Sequence, residues 1–366
     1  MKTLIISALA ILLCTTACKK NKSAAIQDPI LPDAALKTKV LAAGLAFPWE
    51  IIYGPDQQLW MTERGGKISR VNPQTGTVTL LHQISEVVAN GEGGLLGMVL
   101  APNFATNPWV YVVYNYGTGN NYKEKVVRFT YANGALSSPL SIIDQIPASG
   151  IHNGSRLMIS ADQKLFISTG DASNANNAQD KNSLSGKILR LNLDGSIPGD
   201  NPFVNSPVWS FGHRNPQGLI QVGDKIYAAE HGPNNDDEVN LILKGRNYGW
   251  PNVEGFCNLS SEKAFCTSND VVEPMFAWTP TIATSSLNYY NSDYIPQWKN
   301  SLLLLSLKGS KLTQLSLNSE GDKITTAQDF LLNQFGRLRA ICQSPEGKLY
   351  ITTSNGNDDK IIEIAK

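Results

Sequence analysis

The chain has 366 residues, 42% of them hydrophobic and 17% charged, enough to bury a sizeable core. Lys and Arg number 31 and Asp and Glu 31, so no global field draws the molecule to nucleic acid or to an anionic membrane, and charge-based chemistry must be local. The 30 Gly and 19 Pro favour a turn-rich fold over a helical one.

Along the chain, the first feature reads as an export signal over residues 1–17. Lys2 supplies the positive start, and LIISALAILL is an apolar core far short of the ~20 residues that span a bilayer. Cys18 after Ala17 resembles a bacterial lipobox, in which the cysteine is lipidated and becomes the mature N-terminus. Thr15 stands where that motif usually has Leu, so ordinary signal-peptidase cleavage is the alternative. Residues 18–36 read as a polar tether and 37–366 as one folded domain. The expected location is periplasmic or at the cell surface, with a lipid on Cys18 as the membrane contact. Export permits disulfides. Cys257 and Cys266 flank NLSSEKAF, which reads as a short polar loop, and a local bridge fits there. Cys342, in the apolar run LRAICQS, reads as a buried free thiol.

From Lys37 onward one pattern returns six times: a β-rich run, a polar turn, then a second run with alternating apolar residues. The instances cover residues 58–72, 109–131, 164–195, 225–243, 301–318 and 348–365. Each reads as two strands joined by a hairpin or a longer loop. Their starts lie about 50 to 75 residues apart, which leaves room for two further strands per unit. Six units of four antiparallel strands predict an all-β, six-bladed propeller, with a β-sandwich of unequal hairpins as the alternative. In a propeller, residues far apart in sequence converge on one central channel.

Several short strings carry residues suited to chemistry. In GIHNGSRL, His152 stands at a strand entrance, where it serves either as a general base or as the partner of a turn carbonyl. In FGHRNPQGL, Arg214 offers a rigid charged fork and Asn215 both donors and acceptors; the alternative is an arginine bracing two blades. EHGPNNDDEVN gathers Glu230, Asp236, Asp237 and Glu238 around Gly232-Pro233, either an oxygen-rich turn for a hard cation or a solvated acidic turn. GDASNANNAQDKNS reads as a long polar loop. Lys308 follows an apolar strand, and Arg337 and Arg339, two apart, would share one face of a strand. HExxH, CxxC, Walker A, GxSxG and dinucleotide GxGxxG patterns are absent.

The strings GEGGLLGMVLAPNF, IHNGSRL, GKILRLNLDGSIPGDNPF, FGHRNPQGL, EHGPNNDDEVNLILKGRNYGWPNV and GRLRAICQSPEGKLY follow in one order from residue 91 to 350. Together they closely resemble the soluble glucose/sorbosone (aldose sugar) dehydrogenases that use pyrroloquinoline quinone (PQQ). The resemblance covers nearly the whole mature chain and implies a six-bladed propeller, in agreement with the repeats. It also implies PQQ and Ca2+ as cofactors, an aldose oxidised at the anomeric carbon to a lactone, and an external electron acceptor. By position, His152 matches the general base, and Glu92 stands where some members have a cofactor-contacting Gln. Arg214 and Asn215 match residues against the quinone, and Lys308, Arg337 and Arg339 its anionic contacts. Gly232 and Pro233 would offer carbonyls to the calcium in the cofactor site. Glu238 and the backbone of Tyr248 resemble a second calcium site. In this scheme His152 takes the anomeric proton while hydride passes to the quinone, and Arg214 stabilises the charge developing on oxygen.

Departures from the family pattern concern the substrate. Ile151 stands where some members have Asp, residues 276–286 lack the aromatic arrangement of glucose-specific members, and the GDASNANN loop lacks an Arg or Gln seen in many relatives. The long inserts of glucose-specific enzymes are missing, so the broad-specificity aldose branch fits better. The competing readings are a non-catalytic binding propeller and a calcium-dependent sugar lactonase, and the assembly is expected to be a monomer or dimer.

Overall fold

Each of the six repeats forms the second and third strands of a four-stranded antiparallel sheet, and the six sheets make a six-bladed β-propeller. The computed structural model describes residues 36–119 and 121–366; the expected export signal, Cys18 and the tether up to residue 35 lie outside the described residues. The described chain begins with β1 (Lys37–Leu45). Blade 1 follows as β2 (Pro48–Tyr53), β3 (Leu59–Glu63), β4 (Lys67–Val71) and β5 (Val78–Gln83). Blade 2 is β6 (Leu95–Leu100), β7 (Trp109–Thr118), β8 (Asn121–Ala132) and β9 (Ala135–Pro147). Blade 3 is β10 (Gly154–Ile159), β11 (Lys164–Thr169), β12 (Lys187–Asn192) and β13 (Val208–Phe211). Blade 4 is β14 (Pro216–Val222), β15 (Lys225–Glu230), β16 (Asp237–Ile242) and β17 (Phe276–Trp278). Blade 5 is β18 (Thr284–Tyr290), β19 (Ser301–Ser306), β20 (Lys311–Leu317) and β21 (Ile324–Phe330). Blade 6 takes β22 (Leu338–Gln343), β23 (Leu349–Thr353) and β24 (Asp359–Ala365), and β1 completes it by pairing Lys37 with Ala365 and Val40 with Ile362. The two chain ends thus close the ring in one sheet.

Both faces of each blade are covered by neighbouring blades, so the second strands lose the alternation of a half-exposed sheet. All five residues of β3 and β23 and all six of β19, SLLLLS, are buried. The hydrophobic core accordingly divides into six clusters, one per blade interface. Leu36, the last residue of the expected tether, packs against the cluster between blades 5 and 6.

The six innermost strands, β2, β6, β10, β14, β18 and β22, line the channel as neighbours. Every one carries a register shift against its partner at its N-terminal end. The extra residue is Trp49 in β2, Gln217 in β14, Ser285 in β18 and Arg339 in β22. Bulges of this kind re-aim side chains at the rim of a closed β-structure. The loops entering these strands form one mouth of the channel.

Among the described residues two short α-helices lie outside the blades: α1 (Asn176–Gln179), in the long polar loop of blade 3, and α2 (Ser260–Asn269), in the insert between β16 and β17. The expected loop between Cys257 and Cys266 is therefore largely helical. The Glu262 carboxylate accepts the Leu259 N–H at 2.9 Å and caps the first turn. Cys257 and Cys266 are joined in a disulfide, and Cys342 is buried and free.

Candidate active site

His152 stands at the entry of β10 with φ +59°, a left-handed conformation that costs a β-carbon-bearing residue energy unless its surroundings hold it. They do. Its N–H donates to Glu92 Oε2 at 3.3 Å, and its carbonyl accepts from Ala172 N at 3.1 Å. That carbonyl lies so close to Gly170 that a β-carbon there would meet it at 2.0 Å, so glycine is required. The imidazole Nδ1 lies 2.9 Å from Asp171 Oδ1. A carboxylate only accepts, so Nδ1 carries a proton, and in the neutral ring the lone pair is on Nε2. Asp171 is buried; Oδ1 also accepts from Ser173 N (2.9 Å) and Oδ2 from Trp250 Nε1 (2.9 Å). The polar loop read as a mere connection thus supplies the group that orients the histidine.

The FGHRNPQGL string divides its labour. His213 is fully buried between Ser210 Oγ (2.8 Å) and Glu230 Oε2 (2.9 Å), with Tyr248 stacked on its ring at 4.5 Å. Glu230 Oε1 takes the Arg214 N–H, so this histidine fastens the turn that presents Arg214 and Asn215. Arg214 donates from Nη1 to the His231 carbonyl at 3.2 Å and lies 5.3 Å from the Trp250 ring, and the Gly154 N–H reaches Asn215 Oδ1 at 2.9 Å. Burial holds the Arg214 proton less tightly than usual, an effect opposed by Asp171, Glu230, Asp237 and Glu92.

His231 follows Glu230 and lines the same cavity as Arg214, Gly232, Pro233 and Trp250. Its Nε2 donates to the Thr284 carbonyl, and burial pushes its pKa down to about 3, so it stays neutral with Nδ1 as an acceptor. Asp237 accepts the backbone N–H groups of Gly232 (2.8 Å), Ile282 (2.7 Å) and Ala283 (2.5 Å), which ties the Gly232 turn to blade 5. Glu238 is raised to about 8 by burial and by the neighbouring Glu230 charge. It accepts from Gly255 N and Asn240 Nδ2.

The cationic residues separate by depth. Arg339 is buried in the channel beside Trp49, donates to Gln217 Oε1 at 2.6 Å, and is pushed down to about 9 by burial. Arg337 precedes β22 and is exposed; because Arg339 is the extra residue of the β22 bulge, the two do not share a strand face as their spacing suggested. Lys308 is also exposed at the rim, donating to Thr281 Oγ1 at 3.2 Å. The structure thus brings Glu92, His152, Arg214, Asn215 and Arg339 to one mouth, with Lys308 and Arg337 outside them.

Four buried donors at this mouth, Arg64 Nε, Arg214 Nε, Asn215 Nδ2 and Arg339 Nε, have no partner, nor does the Thr284 hydroxyl. Unpaired buried donors are rare because each forfeits its hydration. Contributed by several blades, they fit a ligand rich in anionic acceptors. No donor among the described residues reaches the carbonyl oxygens of Gly232, Pro233 or Tyr248. Among the same residues no three His, Cys, Asp or Glu side chains converge as a metal cluster, so a cation here would rest on carbonyls and single carboxylates. Sequence reasoning missed Asp171, Trp250, His231 and Arg64. The signal for Asp171 was a Gly-Asp pair directly after β11, and Trp250 stood inside a quoted string without a role.

Fold and site define a six-bladed propeller with a pocket at one mouth lined by guanidinium groups and unpaired donors. The Glucose / Sorbosone dehydrogenase family pattern matches residues 45–363, and the chain belongs to that family of oxidoreductases. It is 33% identical to the aldose sugar dehydrogenase YliI of Escherichia coli over 347 residues, covering 89% of this chain and 92% of that one. It is also 33% identical to the quinoprotein glucose dehydrogenase B of Acinetobacter calcoaceticus over 419 residues, covering 88% and 86%. The structure of the PQQ-bound form of aldose sugar dehydrogenase from Streptomyces coelicolor is similar with a TM-score of 0.78 at 33% identity, covering 92% of this chain and 99% of that one. Among the described residues no helix is long and apolar enough to cross a membrane.

Proposed function

We propose that this chain oxidises aldose sugars at the anomeric carbon to lactones, with PQQ and Ca2+ as cofactors and an external electron acceptor. The observation that carries the reading is the set of unpartnered buried donors around the His152–Asp171 pair. Arg339, Arg214 and Asn215 would hold the carboxylates and carbonyls of PQQ, with Lys308 and Arg337 as outer countercharges and Glu92 beside them. Gly232 and Pro233 would give their free carbonyls to Ca2+. Glu238 and the Tyr248 carbonyl would hold a second ion, which would relieve the repulsion between Glu230 and Glu238. When bound, PQQ supplies a hydride acceptor whose reacting carbonyl Ca2+ polarises as a Lewis acid.

The chain's own residues do the remaining work. His152 Nε2, its other nitrogen engaged by Asp171, removes the proton from the anomeric hydroxyl, and the Arg214 guanidinium offsets the negative charge that gathers on oxygen. The N-terminal pattern supports export with a lipid on Cys18, on residues outside the described structure.

Titrating the apo-protein with PQQ and Ca2+ is expected to change the quinone absorption spectrum, and dye reduction should follow with members of an aldose panel. His152→Ala should lower turnover by roughly 10²–10⁴-fold with the spectral titration intact. An unchanged spectrum overturns the enzyme reading; undiminished turnover in His152→Ala overturns the base assignment alone.

A further inference from the structure

Trp250 touches both halves of the catalytic apparatus. Its backbone leaves the indole little freedom: the N–H donates to the Gly212 carbonyl at 3.0 Å, and its carbonyl accepts Gln179 Nε2 at 2.7 Å. Gly249 before it has φ +90°, and a β-carbon there would meet Val253 Cβ at 2.7 Å, so the turn is built for close approach. The indole N–H meets Asp171 Oδ2 at 2.9 Å, on the carboxylate whose other oxygen faces His152 Nδ1. The Arg214 guanidinium carbon lies 5.3 Å from the centre of the same ring.

We propose that Trp250 is a positioning residue that sets the proton affinity of His152 through Asp171 and holds Arg214 against its ring. This rests on the reading of His152 as the base. The effect runs through the charge on one carboxylate. Three donors share it: His152 Nδ1, the Ser173 N–H and the Trp250 N–H. Removing the indole donor leaves more negative charge facing the imidazole, which favours its protonated form, so His152 becomes more basic. The ring acts separately, as a cation–π face for a guanidinium that lacks a partner at Nε. The other charged or titratable groups about the pair are Glu92, which accepts the His152 N–H, together with Arg214 and His231. Trp250→Phe keeps an aromatic face towards Arg214 and removes no hydrogen bond to Glu92 or His231.

Trp250→Phe keeps an aromatic face and removes the donor. The chain has only 4 histidines, so NMR titration of the imidazole signals in the apo-protein reads His152 directly, with the His152→Gln variant assigning its signal. The His152 pKa is expected to rise by roughly 0.5–1 unit. The acid limb of kcat/KM should move to higher pH by the same amount, which a general loss of stability would not produce. Trp250→Leu should lower kcat further on the pH-independent plateau, because Arg214 loses its face. In the wild type, the Trp250 indole N–H resonance should shift with the His152 midpoint, a test that needs no folded variant beyond assignment. An unmoved His152 pKa in Trp250→Phe, or an indole signal that ignores the His152 titration, overturns the proposal. Equal plateaus for the Phe and Leu variants overturn the Arg214 half. Full turnover by His152→Gln removes the base reading instead, and the apo-protein titrations still decide whether Trp250 tunes His152.

Discussion

Glu124 is buried between blades 2 and 3, with one carboxylate oxygen accepting from Ser155 Oγ at 2.7 Å and the other without a partner. Burial raises its pKa from 4.5 to about 8. Between those values the native state keeps a proton that the unfolded chain has released, so this residue's contribution is complete below about pH 4.5 and lost as pH rises through 8. Glu124→Gln should therefore be more stable than wild type above pH 8, on the order of 2–4 kcal/mol, with the difference fading towards pH 4.5 in denaturant titrations. Lys187 is its cationic counterpart. It is buried, donates to the carbonyls of Asn177 (2.6 Å), Ala178 (3.0 Å) and Ser185 (2.8 Å), and is pushed down to about 7 by burial. It fixes the loop in which Asn177 Nδ2 holds the Asp171 carbonyl. Neither residue stands out in the sequence, because a lone Glu or Lys in a β-run reads as a surface charge until its neighbours are known.

At the scale of the element, the insert between β16 and β17 carries the site's outer wall. It delivers Trp250 to Asp171 and the Gly255 N–H to Glu238 Oε1 at 2.8 Å, while the Cys257–Cys266 disulfide closes a loop over a sequence separation of 9. Closing a loop of that size restrains the open state by about 2–3 kcal/mol. Replacing both cysteines by serine is expected to speed limited proteolysis within residues 249–272, with PQQ and Ca2+ bound several-fold more weakly in the spectral titration. The bridge was legible from the spacing, whereas the helix inside it was not: ten residues with a polar, weakly periodic pattern need the cap from Glu262 and the covalent closure to hold. The inner-strand bulges were equally hidden. Strand periodicity assigned Arg337 and Arg339 to one face, and one extra residue in β22 undid that.

Across the whole molecule, Arg156 on β10 ties the channel together below the site. It pairs with Glu50 of blade 1 at 2.5 Å and donates to the Gln217 carbonyl of blade 4 (2.8 Å) and the Ser285 carbonyl of blade 5 (2.9 Å). Its guanidinium also lies 4.3 Å from the Trp49 ring. Arg156→Met would leave Glu50 buried without its cation, a loss of about 3–5 kcal/mol expected in thermal or denaturant unfolding. On the proposed reading, losing this neighbouring positive charge should also weaken PQQ binding at Arg339 in the spectral titration.

By itself the sequence determined the blade count and strand content, because six spaced apolar hairpins admit few closed arrangements. It also determined the strings that mark the family, and through them His152, Arg214 and Asn215. Tertiary structure decided what those residues touch. Asp171 stands 19 positions from His152 and reaches it through the β10–β11 pairing, while Trp250 stands 79 from Asp171 and reaches it only because the insert of blade 4 packs against blade 3. Which charge is buried, and so which group holds or loses its proton, depends on contacts between blades that no local pattern encodes.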